Sequence, residues 1–250
     1  YAVAGGTLKL WDSVPLGGAA EGVTVSRSYA TSKDGTRVPM FLVRGPKAAS
    51  GGPLPTVLYG YGGFNVSQLP AFSPRALATA MAGGVWTIAL LRGGGEFGEG
   101  WHRAGMLALK QNVFDDFFAC AEKLMSDKVT DANHLAAWGG SNGGLLVAAA
   151  ITQRPELFRA AASLVPLTDM LRYHHFRIAK LWIPEYGSSD DADQFKTLFA
   201  YSPYHRVKNT RYPAVMFTTA ESDSRVDPMH ARKMAAAVQA AQQDVTRSVL

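Results

Sequence analysis

An α/β fold, a mostly parallel twisted sheet with helices on both faces, is what this 250-residue sequence predicts. Three observations predict it. Short apolar runs alternate with longer segments of helical period, the pattern of strands buried on both faces. Glycine-rich turns follow the apolar runs at Tyr59, Leu91 and Trp138, where a strand would hand over to a helix. Hydrophobic residues make up 47% of the chain, enough for one sizeable core in a single domain.

The elements follow in order. Residues 1–21 are Gly-rich and weakly patterned, and read as a linker or tail from an upstream domain. Residues 22–250 read as the α/β domain. Val23–Ala30 and Val38–Arg44 are β-rich runs around Lys33-Asp34-Gly35-Thr36, and Asp-Gly in that setting predicts a hairpin. Ala48–Pro55 is a Ser-, Gly- and Pro-rich loop. Strands are then expected at Thr56–Tyr59, Val85–Leu91, Leu135–Trp138, Ala160–Val165 and Ala214–Thr219. Helices are expected at Arg75–Ala82, Asp115–Met125, Gly144–Thr152 and Pro228–Ala241, the last with Asp227 as N-cap and Pro228 at its first position. Val245–Leu250 begins another β-rich run, so the sheet is expected to be incomplete at the C-terminus.

Composition narrows the function. The net charge of +5 comes from scattered Lys and Arg, with no basic run or basic-aromatic stripe, which gives no nucleic-acid footprint. No apolar stretch reaches the roughly 18 residues of a membrane span. Cys120 is the only cysteine, so no internal disulfide can form; it reads as a small buried hydrophobe in a reducing, cytoplasmic setting. The chain opens Tyr1-Ala2-Val3, with neither Met nor a signal-peptide pattern, as expected of the middle of a longer protein.

One motif carries chemistry. Gly139-Gly140-Ser141-Asn142-Gly143 fits G-x-S-x-G between a predicted strand and a predicted helix. So sharp a turn forces the serine into a strained conformation and leaves no room for side chains at the flanking glycines. It also lifts the hydroxyl to a helix N-terminus, where amides can stabilise developing negative charge. The motif makes the fold an α/β-hydrolase and Ser141 its nucleophile. In that fold the acid and then the histidine follow the serine. Glu221, Asp223 and Asp227 all follow the Ala214–Thr219 strand, and the residues alone leave that choice open. The histidine is expected after the strand that starts at Val245, beyond Leu250. His230 falls in the first turn of a helix, a poor place for the base. His174 and His175 are sequence neighbours expected to point apart, which argues against a shared metal.

At these residues the sequence resembles the prolyl oligopeptidase family of serine peptidases, from about residue 22 to the end. The resemblance is carried by Tyr59-Gly60-Tyr61-Gly62-Gly63-Phe64-Asn65, Arg92-Gly93-Gly94-Gly95-Glu96, Lys110-Gln111-Asn112, the Gly139–Gly144 motif and Asp223-Ser224-Arg225-Val226. It implies that Ser141 is the nucleophile and Asp223 the acid. It implies an oxyanion site made by the Tyr61 hydroxyl and the Asn142 backbone N–H. Arg225 would bind a peptide carbonyl before the proline and Trp182 would stack on the proline ring, with Phe64, Leu167, Tyr186 and Val226 as the other walls. The implied substrates are short proline-containing peptides, cleaved without metal or organic cofactor. The resemblance also implies a β-propeller before the hydrolase domain and a histidine past Leu250, so these 250 residues alone are expected to be nearly inactive. Alternatives are an acylaminoacyl peptidase, an esterase, a peptidase for basic residues using Glu185, or a non-catalytic scaffold.

Overall fold

The computed structural model describes residues 2–12, 18, 20–48 and 52–250. Parts of the predicted 1–21 linker and of the Ala48–Pro55 loop lie outside the described residues. Within the linker, β1 (Ala2–Ala4) and β2 (Thr7–Lys9) pair antiparallel, so residues 2–9 form a hairpin where no pattern was expected. Gly5 and Gly6 make its turn, at φ 57° and 74°.

The main sheet has seven strands. They are β3 (Thr24–Thr31), β4 (Arg37–Arg44), β5 (Thr56–Tyr59), β6 (Val85–Ala89), β7 (Leu135–Gly140), β8 (Ala160–Leu164) and β9 (Ala214–Thr218). Their order is β3-β4-β6-β5-β7-β8-β9. The β3–β4 hairpin is antiparallel and so is its joint to β6, while β5 to β9 run parallel. Gly35 at φ 86° turns the hairpin at the predicted Asp-Gly.

Helices α1 (Pro74–Met81), α2 (Glu99–Arg103), α3 (Gln111–Ser126), α4 (Asn142–Gln153), α5 (Ile183–Tyr186), α6 (Ala192–Tyr201), α7 (Pro203–Arg206) and α8 (Met229–Ala241) fill the connections. α1 packs on β4 and β6, α3 on β3 and β4, α4 on β7 and β8, and α8 on β9. α4 is buried all round except at Gln153, as its apolar sequence Leu145–Ile151 requires. Helix cover is incomplete: an open apolar groove of about 360 Å³ runs along Val57, Trp138, Ala162 and Met216.

Of the boundaries that differ from expectation, three have a visible physical reason. α3 starts a turn early, because Val113, Phe114 and Phe117 all enter the core. α8 begins at Met229; Pro228 sits at the boundary, and Asp227 still caps, its Oδ1 accepting from the Met229 N–H at 3.0 Å. The end of the chain runs beside β9 through Val249 rather than forming a strand from Val245, which is 95% exposed.

Candidate active site

Ser141 lies between β7 and α4 with φ 58° and ψ −117°, a left-handed backbone that a non-glycine residue holds only under constraint. The constraint is visible. The Ser141 N–H donates to Leu164 O at 2.8 Å, and its own carbonyl accepts from Leu145 at 3.0 Å. A Cβ on Gly139 would meet Gly143 O at 2.2 Å, and one on Gly143 would meet Gly60 O at 2.7 Å. The two fixed glycines of the motif are therefore the two that admit no side chain. A Cβ on Gly140, at a variable position, would lie 3.6 Å from Leu164 Cβ, an ordinary contact.

The second component is the turn after β5. Gly62, Phe64 and Asn65 all have positive φ, at 64°, 58° and 57°. The turn leans on the Arg92–Gly95 segment, with Asn65 N–H donating to Gly93 O at 3.0 Å. Arg92 in turn is buried in an ion cluster: its guanidinium meets Asp116 of α3, and Asp34 and Ser32 in the hairpin turn. That guanidinium holds the Asp34 carboxyl down at about 2.

Beneath both components lies a polar group. The Asn142 side chain donates to Tyr61 O at 2.5 Å and accepts from Tyr186 OH at 2.8 Å. Lys110, 1% exposed, donates from Nζ to Gly62 O at 2.9 Å and Asn142 Oδ1 at 3.1 Å. Burial pushes its ammonium down to about 8, against the pull of Glu185 at 3.8 Å. Glu185 accepts from Phe64 N–H at 2.9 Å and lies 2.8 Å from His102 Nε2. It is buried and engaged, which removes the carboxylate that a basic-residue pocket needed.

A cavity of about 190 Å³ brings together Ser141, Tyr61, Phe64, Leu167, Trp182, Tyr186 and Arg225. Val66 also lines it, a residue with no sequence signal beyond its place after the Tyr61 turn. Phe64 meets Tyr186 edge-on at 5.4 Å and Trp182 at 6.5 Å. Burial pushes the Tyr61 phenol up, while hydrogen bonding with Ser141 and the charge of Arg225 pull it back. Asn142 and Val226 are buried and do not line the cavity. Asp223 lies on the loop after β9, as expected, but it too is outside the lining; its Oδ1 accepts from Arg225 N–H at 2.9 Å and Val226 N–H at 3.0 Å.

None of the six histidines lines the cavity. His230 is 2% exposed, and its Nδ1 accepts from Thr168 N–H at 3.2 Å and Asp169 N–H at 3.1 Å. Burial pushes it down to about 4, so it is a neutral structural acceptor. His174 and His175 do not point apart: their rings are 4.0 Å between centroids, in a turn rather than a regular helix or strand. With Asp190 they are the one cluster, among the described residues, whose ligand atoms lie within 4.8 Å as a metal would need. His174 Nε2 already lies 3.2 Å from Asp190 Oδ2 and 3.3 Å from Ser188 Oγ, so hydrogen bonds hold two of the three residues together. Cys120 is fully buried and its thiol is pushed up by burial, so it is no nucleophile. Among the described residues no helix is long and apolar enough to cross a membrane.

A model of the prolyl oligopeptidase family matches residues 70–250. The chain belongs to that family. Among curated members, it is 39% identical over 244 residues to the prolyl endopeptidase of Elizabethkingia meningoseptica, covering 97% of this chain and 35% of that protein. It is 43% identical over 215 residues to a prolyl oligopeptidase of Omphalotus olearius, covering 84% of this chain and 29% of that one. Among solved structures of the family, a prolyl endopeptidase studied for inter-domain dynamics matches with TM-score 0.94 and 51% identity, over 98% of this chain and 36% of that one. Prolyl oligopeptidase B from Galerina marginata matches with TM-score 0.88 and 37% identity, over 92% and 33%. The chain thus spans about a third of the length of the relatives it matches, and its α/β-hydrolase architecture is that of the matched region.

Proposed function

We propose that this chain forms the catalytic domain of a serine peptidase that cleaves short peptides on the carboxyl side of proline. The observation that carries the reading is the cavity at Ser141. It is walled by Phe64, Trp182 and Tyr186 and has no carboxylate among its lining residues. At about 190 Å³ it takes a single ring rather than a whole ligand. Proline is a compact apolar ring without an N–H, and an aromatic, uncharged wall suits it.

In this reading Ser141 Oγ attacks the carbonyl carbon of the proline residue. The new Oγ–C bond leaves negative charge on the carbonyl oxygen, received by the Tyr61 hydroxyl and the Asn142 N–H. The C–N bond then breaks, the amine leaves with the proton taken from Ser141, and water releases the acyl group by the reverse sequence. Arg225 at the cavity edge binds the carbonyl that precedes the proline. Asp223 orients the histidine that moves the proton. Since no histidine of this chain lines the cavity, the reading assigns that imidazole to sequence after Leu250. It also takes residues 1–21 as the link from an upstream β-propeller that admits only short peptides, and places the protein in the cytoplasm.

The test compares Gly-Pro and Arg reporter amides on the full-length protein and on Ser141→Ala. Cleavage of Gly-Pro, lost by about 10³-fold or more in Ser141→Ala, is expected. Preference for Arg would remove the prolyl reading, and unchanged turnover in Ser141→Ala would remove the serine mechanism.

A further inference from the structure

The Lys110-Gln111-Asn112 motif has no part in the chemistry above, yet it puts a lysine ammonium almost wholly out of water. Lysine is rarely buried unless its charge is met. Here the partners are Gly62 O, Asn142 Oδ1 and, farther off, Glu185. Gly62 adjoins Tyr61, and Asn142 is the first residue of α4. These are the two segments that carry the proposed oxyanion donors. Neither segment is self-supporting where the donors sit. The Tyr61 turn passes through three residues of positive φ, and α4 starts from the strained Ser141.

The contacts also explain the asparagine inside the serine motif. Its side chain accepts from Lys110 and Tyr186 through Oδ1 and donates to Tyr61 O through Nδ2. The fit is close: a Cβ on Gly63 would lie 2.6 Å from Asn142 Nδ2. Lys110 thus spans the Tyr61 turn and α4 from the N-terminus of α3, and Glu185, 3.8 Å from that ammonium, holds the same turn through Phe64 N–H.

We propose that Lys110 is a positioning residue of the oxyanion site, its ammonium clamping the Gly62 carbonyl to the Asn142 side chain and so fixing the distance between the Tyr61 hydroxyl and the Asn142 N–H. The proposal rests on the serine-peptidase reading and adds to it a group that touches neither substrate nor reacting atoms.

The experiment uses the full-length protein with Lys110→Met, Asn142→Ala and the double variant, assayed on a Gly-Pro reporter amide. Two inhibitors are compared. A peptide aldehyde ending in prolinal forms a tetrahedral adduct whose oxygen needs the oxyanion site, whereas a peptide ending in prolinamide only fills the pocket. Lys110→Met is expected to lower kcat about 10- to 100-fold, less than or comparable to loss of an oxyanion donor. KM should stay within about threefold, and the aldehyde should weaken in step with kcat while the amide does not. Asn142→Ala should also lower kcat, and the double variant should be little worse than the poorer single, because both act through one clamp. A folded Lys110→Met with wild-type kcat overturns the proposal, as does an equal loss of aldehyde and amide affinity. If Lys110→Met does not fold, Asn142→Ala decides: wild-type kcat and aldehyde affinity there overturn it. Ser141→Ala runs alongside. Activity surviving in Ser141→Ala would sink the serine mechanism itself; activity lost there but intact in Lys110→Met would sink the clamp alone.

Discussion

The two sides of the site are built by different means. On the Ser141 side, every backbone turn is pinned by something buried: backbone packed so closely on Gly139 and Gly143 that an added Cβ would come within 3 Å of it, the Lys110 and Asn142 bonds, and the Arg92 ion cluster. On the other side, the loop after β9 is largely open to solvent, and among the described residues the Asp223 carboxylate bonds only to backbone N–H groups of its own loop. The difference follows from what each side must hold. A serine in a positive-φ conformation would relax without surrounding structure to prevent it. An acid that orients a base, the role proposed for Asp223, needs a shaped loop, not a strained one. Stability and catalysis should therefore separate across the cleft.

Asp223→Asn is the sharpest way to break that contrast. The amide oxygen can still accept from Arg225 and Val226, so the melting temperature should stay within about 2 °C, while turnover falls about 10⁴-fold. A fall in stability as large as the fall in activity would show that the loop is structural after all. Arg92→Met probes the opposite side. It strands Asp116, which is fully buried, and should cost about 3–5 kcal/mol in denaturant unfolding. A loss under about 1 kcal/mol would mean the turn after β5 is not held from below. The smallest effect is expected from His230, which joins α8 to the segment after β8. Its folded pKa, about 4, lies below the unfolded value of 6.5. Its contribution is thus fully present above about pH 6.5 and fades as pH falls toward 4, by up to about 3 kcal/mol. His230→Gln should flatten that part of the stability profile; an unchanged slope would assign it to other groups.

Much of this was legible in the chain, for local reasons. The Asp34-Gly35 hairpin, the alternating strands and the Ser141 turn each depend on residues adjacent in sequence. Ser141, Tyr61, Trp182 and their neighbours converge because strands of a parallel sheet end together. What escaped depends on distant partners. Lys110 reads only as part of a family motif, without a role, until residues 62, 142 and 185 surround it. Glu185 reads as a pocket carboxylate until Phe64 N–H and His102 claim it. α6 has a clear cap, with Asp191 accepting from Asp193 and Gln194, but its apolar stripe is short: only Leu198 and Tyr201 are buried. The His174–His175 turn defeats periodicity altogether, since a tight turn obeys neither helical nor strand spacing.

The backbone at residue 141 also limits which side chains could take the nucleophile's role proposed for it. At φ 58° a side chain branched at its β-carbon crowds its own peptide, so threonine is penalised although it carries the same hydroxyl. Cysteine, unbranched and similar in size, would sit there without moving the chain. The elbow therefore screens candidate nucleophiles by branching before reactivity is weighed: the thiol of cysteine or the carboxylate of aspartate would pass where threonine is penalised.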